Sequence, residues 1–345
     1  MSSTVTDDIA VAPDDGPVEA PARRYRGGWR IVARKEFADH VHSARFVILI
    51  ILLGLAGLAS VHSASGPIRD AADKASSTPS IFLYLFTLSP DRVPSFYEFI
   101  GILGPLLGIA FGFDAINGER SLGTLPRLVA QPIHRDEIIN GKFVAGIGAI
   151  ALGLGCLITM VGGYGALRLG VGPTWSDVIR LIAYFAVAVV YISLWLALAI
   201  LLSVTCRRAA TAALAALAVW LVLTLFAGLI AGIVADSWHK VDSESTTEEV
   251  LANARTELNV RRLSPDQLYK DATGVLLNPS LQTTGIVTPP PADASAATAT
   301  GALPSSLPLS ESLALAWWQL VVLVAGTIAV FAAAYLVFLR QEVRA

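Results

Sequence analysis

Asn117-Gly118-Glu119-Arg120-Ser121-Leu122-Gly123-Thr124-Leu125, then Pro132-Ile133-His134-Arg135 and Gly141-Lys142, form a polar interruption between two long apolar stretches, 96–116 and 143–167. Four more apolar stretches cover 46–61, 178–203, 209–235 and 313–339. Of the 345 residues, 54% are apolar and only 15% charged, against a usual charged share of about 25%. Five stretches exceed the roughly 18 residues that a spanning helix needs. The first runs about 24 Å at 1.5 Å per residue, short of a core of about 30 Å. Its helix is therefore expected to begin earlier, with Arg45 reaching back to the interface. None of the stretches alternates apolar with polar residues, as barrel strands do. The fold class is an all-α polytopic membrane protein with six transmembrane helices.

Net charge is −2 and decides little; its distribution decides more. With both termini inside, most of the 25 Lys and Arg residues fall on inner segments, including Arg30, Arg34, Lys35, Arg45, Arg120, Arg135, Lys142, Arg207 and Arg208. That asymmetry predicts an N-in, C-in topology in a cell membrane. Residues 1–27 are expected to form a disordered cytoplasmic tail, acidic and Pro/Ala-rich over most of its length, with no secretory signal pattern. The membrane domain then runs over 28–235 and includes the inner loop 117–142. An extracytoplasmic loop follows at 236–312, and 313–345 supply span six and a short inner tail.

Within this frame, local patterns set expectations. Trp29, Val32, Ala33, Phe37, Val41 and Ala44 recur at spacings of three and four, which predicts an amphipathic helix at the inner interface before span one. Ile81 to Leu88 is apolar but too short to span, and is expected to rest on the outer surface. Gly101, Gly104, Gly108 and Gly112 place a glycine ridge on one side of span two, where a second helix can approach. Gly162-Gly163-Tyr164-Gly165 is expected to loosen the outer end of span three. The junction Thr205-Cys206-Arg207-Arg208 is short enough to force an antiparallel hairpin. In the large outer loop, residues 243–277 read as helical. Ser264-Pro265-Asp266-Gln267 supplies an N-cap, a first-turn proline and a capping-box glutamine. Residues 282–308 read as a flexible Thr/Ala/Pro/Ser tether.

Several chemistries find no support. No phosphate-binding loop exists, because Gly141-Lys142 lacks both the upstream glycine and the following hydroxyl. The five histidines are scattered, and His40 and His42 point to different faces of a helix. No zinc or disulfide spacing is present, and no nucleophile elbow. An intramembrane enzyme would need ionisable groups deep in the spans, and only Asp114 comes close. The chain is therefore expected to bind no metal or cofactor, to carry no catalytic residue and to engage no nucleic acid.

The inner loop reads differently. Gly118 and Gly123 punctuate the exit from span two, and Thr124 can cap a short helix carrying Leu125, Leu128 and Val129 before Pro132 closes it. Glu119 and Arg120 stand at its base, able to fix its angle by an ion pair, and Arg135 leads into span three. Ordinary positive-inside loops explain the arginines but not the apolar group, so Glu119, Arg120, Gly123, Thr124, Leu125, Leu128, Pro132 and Arg135 are expected to dock a cytoplasmic partner. Asp114 is either an interfacial acid paired with Arg120 or Lys142, or part of a gate.

The string Asp114…Asn117-Gly118-Glu119-Arg120…Gly123-Thr124-Leu125…Leu128…Gln131-Pro132-Ile133…Arg135…Gly141-Lys142 resembles the permease subunit of ABC-2 type transporters. It is most similar to the branch with the membrane subunit of nitrous-oxide-reductase copper-maturation transporters. The resemblance extends to Lys35-Glu36-Phe37 in the lead-in helix and to Ser264-Pro265…Leu268-Tyr269…Leu276-Leu277-Asn278-Pro279 in the outer loop. Pro126 departs from it, standing where a helix-friendly residue is expected. The resemblance implies a transporter half that pairs with a second permease chain, as a homodimer. Two separate ABC ATPase subunits carry ATP and Mg and dock on the inner loops. It also places the pathway between spans two and five of the two protomers. Those spans are apolar here, which favours export of a hydrophobic or amphipathic substrate. The alternative is a non-transporting membrane scaffold or sensor that binds a partner through the outer loop.

Overall fold

The computed structural model describes residues 28–74, 81–89, 93–121, 134–241, 245–277 and 308–340. All regular structure among them is helical. The expected tail 1–27, the docking helix of Leu125 and Leu128, and the tether over 282–307 lie outside the described residues.

Six helical stretches are long and apolar enough to cross a membrane: Ala44–Arg69, Phe96–Ser121, Arg135–Leu169, Trp175–Thr205, Ala209–Trp238 and Leu309–Arg340. The chain is a multi-pass membrane protein. Span one begins at Ala44, earlier than its apolar run, as its shortness required. In chain order the elements are α1 (Gly28–Val41), α2 (Ala44–Lys74), α3 (Ile81–Thr87), α4 (Phe96–Gly112), α5 (Asn117–Ser121), α6 (Arg135–Leu169), α7 (Trp175–Thr205), α8 (Ala209–Leu221), a π-helical turn (Val222–Phe226), α9 (Ala227–Trp238), α10 (Thr247–Arg261), α11 (Pro265–Leu277) and α12 (Leu309–Arg340).

The centre of the bundle is α7, which packs against α4, α6, α8, α11 and α12. Its start is a capping box: Thr174 Oγ1 accepts from the Asp177 N–H, and Asp177 Oδ2 accepts from the Thr174 N–H. Tyr184, Tyr191, Trp195 and Leu196 on it are fully buried. The glycine ridge of α4 explains how close its neighbour comes. A Cβ at Gly108 would lie 2.6 Å from the Ile192 carbonyl oxygen, and one at Gly112 would lie 2.8 Å from that of Leu196. These are backbone atoms that cannot yield, so only glycine lets α4 seat on α7.

Three expectations are corrected. The segment Ile81 to Leu88 does not rest on a surface: α3 inserts Phe82, Leu83, Leu85 and Phe86 into the core. Four large apolar side chains in seven residues have too much surface to leave outside. Second, the glycines near the end of span three do not loosen it, for α6 stays helical to Leu169. Gly162 and Gly165 instead make room for Phe82, Phe86 and Leu85 of α3. Third, α2 runs through Pro67 to Lys74, and span five reaches Trp238, beyond the expected boundary at 235.

The segment between spans five and six folds back on the bundle. Asn253 of α10 donates to Asp236 Oδ1 and to the His239 carbonyl, tying α10 to α9. Ser264 donates to the Leu223 carbonyl at 2.6 Å. That carbonyl lies in the π-helical turn, where the backbone register changes and carbonyls are freed. Gln267 does not complete a capping box; its amide turns forward to Asp271 Oδ1.

Candidate functional site

Two polar clusters lie at opposite ends of the bundle. The first gathers around the predicted loop. After α4 the chain makes a turn, and the N–H groups of Ile116 and Asn117 both donate to Ser203 Oγ, at 3.0 and 3.2 Å. Arg120 donates to the Val204 carbonyl at 3.3 Å. Together these bonds staple the exit of span two to the end of span four. The Asn117 side chain is buried, and neither of its amide atoms finds a hydrogen-bond partner among the described residues.

From the other side comes α6. Lys142, two turns into it, is only 5% exposed. Its ammonium lies 2.9 Å from Glu36 Oε1 on α1 and 3.5 Å from Glu119 Oε1 on α5. A buried ammonium is costly unless paired; here two carboxylates from two different elements meet it. The node therefore joins α1, α5 and α6 at one atom. Its neighbour Gly141 allows this, because a Cβ there would stand 2.7 Å from Val32 Cβ and 2.9 Å from the Trp29 carbonyl. Glu137 adds a second tie. One oxygen accepts from the Gly28 N–H at the start of α1 (3.0 Å), and the other from the His134 N–H (3.2 Å). A carboxylate at a helix N-terminus also meets the positive end of its dipole.

These contacts change the reading of α1. Its apolar side, with Val32 and Phe37, faces α6 rather than lipid. His40 lies against Phe111 of α4 in a tilted arrangement, with ring centroids 4.5 Å apart. Burial pushes its pKa down and Lys142 adds to this, against the opposing pull of Glu36, Asp114 and Asp39.

Asp114 pairs with neither expected base. Its carboxylate meets Arg45 at 2.7 Å, and the same guanidinium lies 4.8 Å from the centre of the Phe113 ring. Arg45 thus reaches across to span two.

Of the predicted docking residues, Glu119 joins the node and Arg120 the staple, while Arg135 opens α6. Gly123, Thr124, Leu125, Leu128 and Pro132 lie outside the described residues. The sequence reading missed Glu36, Lys142 and Ser203 as members of the site. One signal was available: a lysine at the head of the long apolar run of α6 demands a partner once buried.

The second cluster is at the far end. Tyr269 of α11 inserts between α4 and α7. Its hydroxyl donates to the Tyr97 carbonyl at 3.0 Å, so Tyr184, at 3.2 Å, donates to it. Its ring stacks on Tyr191 at 4.5 Å. Burial and the neighbouring Tyr184 hold the Tyr269 phenol well above its usual range. Nearby Asp266 is buried, pairs with Lys270 at 2.8 Å through one oxygen, and has its pKa raised by burial. Arg180 of α7 donates to Ser312 Oγ and to the Leu276 carbonyl, so α11 is fixed to spans two, four and six.

Among the described residues no group of three His, Cys, Asp or Glu side chains could hold a metal ion. In the first cluster one cation holds α1, α5 and α6 together.

Comparison with known proteins agrees with this architecture. Residues 30–343 match the family model described as ABC-2 family transporter protein. Over 214 residues, 59% of this chain and 68% of the relative, the chain is 31% identical to the "Probable ABC transporter permease protein NosY" of Stutzerimonas stutzeri. It is 32% identical over 142 residues to the protein of the same name from Pseudomonas aeruginosa, covering 41% of this chain and 44% of that one. With six candidate spans and a match over nearly its whole length, the chain belongs to the ABC-2 family and is a transporter permease subunit.

Proposed function

We propose that this permease exports a hydrophobic or amphipathic substrate and works as a homodimer driven by two separate ABC ATPase subunits. The α1–α5–α6 end of the bundle faces the cytoplasm, as the Lys and Arg distribution favours. Family members are typically non-catalytic membrane subunits, and ATP and Mg belong on the partner. The observation that carries the reading is the buried Lys142 node, which ties α1 and span three to the exit of span two immediately before residues 122–133. A push on that segment would reach all three elements together. For transport to follow, the ATPase must prefer one permease conformation over the other.

Span five supports the pairing with a second chain. It is the least covered of the six spans, with 6% of its apolar window buried, and it turns Leu214, Leu225, Leu229 and Ile233 outward. An apolar face of this kind also suits a greasy cargo.

Lys142→Met tests the node. Two half-buried carboxylates would then lose the ammonium they share, Glu36 keeping only the exposed Lys35 at 3.4 Å, at a cost of about 1–3 kcal/mol. The expected result is a lower unfolding temperature in detergent and ATP hydrolysis that no longer responds to the permease. Glu36→Gln combined with Glu119→Gln and Lys142→Met should recover the stability but not the coupling. If the single variant kept full transport in proteoliposomes, the node would have no part in energy transfer.

A further inference from the structure

With the apolar side of α1 taken up by α6, what remains outward is a different surface. Arg30, Ile31, Arg34, Lys35 and Ala38 line a shallow open groove along the helix. Ile31 is 59% exposed and Trp29 36%. Lys35 is already engaged, by Asp39 at 3.1 Å and Glu36 at 3.4 Å. Arg30 and Arg34 form no ion pair among the described residues. They stand four apart, so both guanidiniums project from one face. The strip thus sets two uncompensated cations beside exposed apolar side chains, on a helix that ends at Val41, just before span one begins at Ala44.

The geometry points to a binding site for one anionic phospholipid, its headgroup phosphate held by Arg30 and Arg34 and its upper acyl chain against Ile31. Guanidinium forks match phosphate oxygens in pairs. Tryptophan beside them suits the same interfacial depth. Charge complementarity and the placement beside span one favour a lipid over a soluble phosphate, which would gain nothing from Ile31. The inference rests on the orientation proposed above, with α1 at the inner leaflet. It has a consequence for the node: Arg34 stands two positions before Glu36, which reaches Glu119 through Lys142, so lipid composition would bear on coupling.

The test uses the full chain alone, so it does not depend on any ATPase. Native mass spectrometry from mild detergent would follow phosphatidylglycerol and phosphatidylcholine titrated separately. The expected result is one retained phosphatidylglycerol per chain in preference to phosphatidylcholine. Arg30→Gln with Arg34→Gln should weaken retention about fivefold per guanidinium removed. The control pair Arg207→Gln with Arg208→Gln, exposed at the same end of the bundle, should leave it unchanged. Equal losses from both pairs would mean diffuse attraction only, and no loss from either would remove the site. Displacement by glycerol phosphate at matching concentration would make it a soluble-phosphate site instead. Each of these last outcomes overturns the proposal.

Discussion

Lys142 and Tyr269 show how single side chains hold the two ends of this molecule. Lys142 brings a charge into an apolar helix and meets Glu36 and Glu119. Tyr269 brings a ring and a hydroxyl from α11 into a slot between spans two and four. Tyr269→Phe keeps the ring stacked on Tyr191 but strips the hydroxyl. The Tyr97 carbonyl then loses its donor and the Tyr184 hydroxyl its acceptor. The expected destabilisation is about 1–3 kcal/mol, read as a lower unfolding temperature of the purified chain. Tyr269→Ala should cost more, since the buried aromatic surface goes too. At this scale the sequence was only partly legible. Glu119 was expected to fix the loop's base by an ion pair, and it meets Lys142, whereas Asp114, expected to pair with Arg120 or Lys142, meets Arg45. Ion pairing between helices far apart in sequence depends on which faces meet, and periodicity within one helix does not carry that information. Arg45 reached Asp114 for the same reason: a separation of 69 positions along the chain says nothing of their distance in space.

Among elements, the glycine ridge of α4 was the most legible feature in advance, though not that α7 would be the helix to fill it. Glycines four apart make a groove, and a groove of that kind has a use only if a helix lies in it. Gly108→Val should separate the two helices, because its Cβ would press on the Ile192 carbonyl and the Leu196 nitrogen. A loss of about 1–3 kcal/mol or more is expected, visible as aggregation or a lowered unfolding temperature. Gly118→Ala is the contrast. That glycine belongs to the loop motif, but a Cβ there would meet only Asp114 Cβ at 3.8 Å, so stability should stay within about 0.5 kcal/mol. Other elements were harder to read. The lead-in helix was identified by its apolar stripe, but a stripe does not say whether it faces lipid or protein. Here it faces α6, through Gly141. The short run at Ile81 was too brief to span and so was placed outside, whereas α3 is buried as a wedge. The π-helical turn in span five has no sequence signature among its Leu, Val and Thr residues; it becomes visible only through the Ser264 bond to the Leu223 carbonyl.

For the whole molecule, composition and run length were enough to establish a six-span helical membrane protein, and the comparisons place it among ABC-2 permeases. The account adds a division of labour. At one end α1, α5 and α6 are bound into a unit by one lysine. At the other, α11 is bolted to spans two, four and six, while α10 follows span five. Span five is the least covered by its own chain among the described residues. The central claim is that this chain has no engine of its own and is driven through the segment that follows Glu119. The most direct measurement is affinity purification of the intact chain from its native host in mild detergent, with quantification of the proteins that travel with it. The account predicts an ABC ATPase in a one-to-one ratio with the permease, lost in Leu125→Asp while the permease itself remains monodisperse. Recovery of the permease without any nucleotide-binding subunit, under conditions that keep other ABC transporters whole, would contradict it.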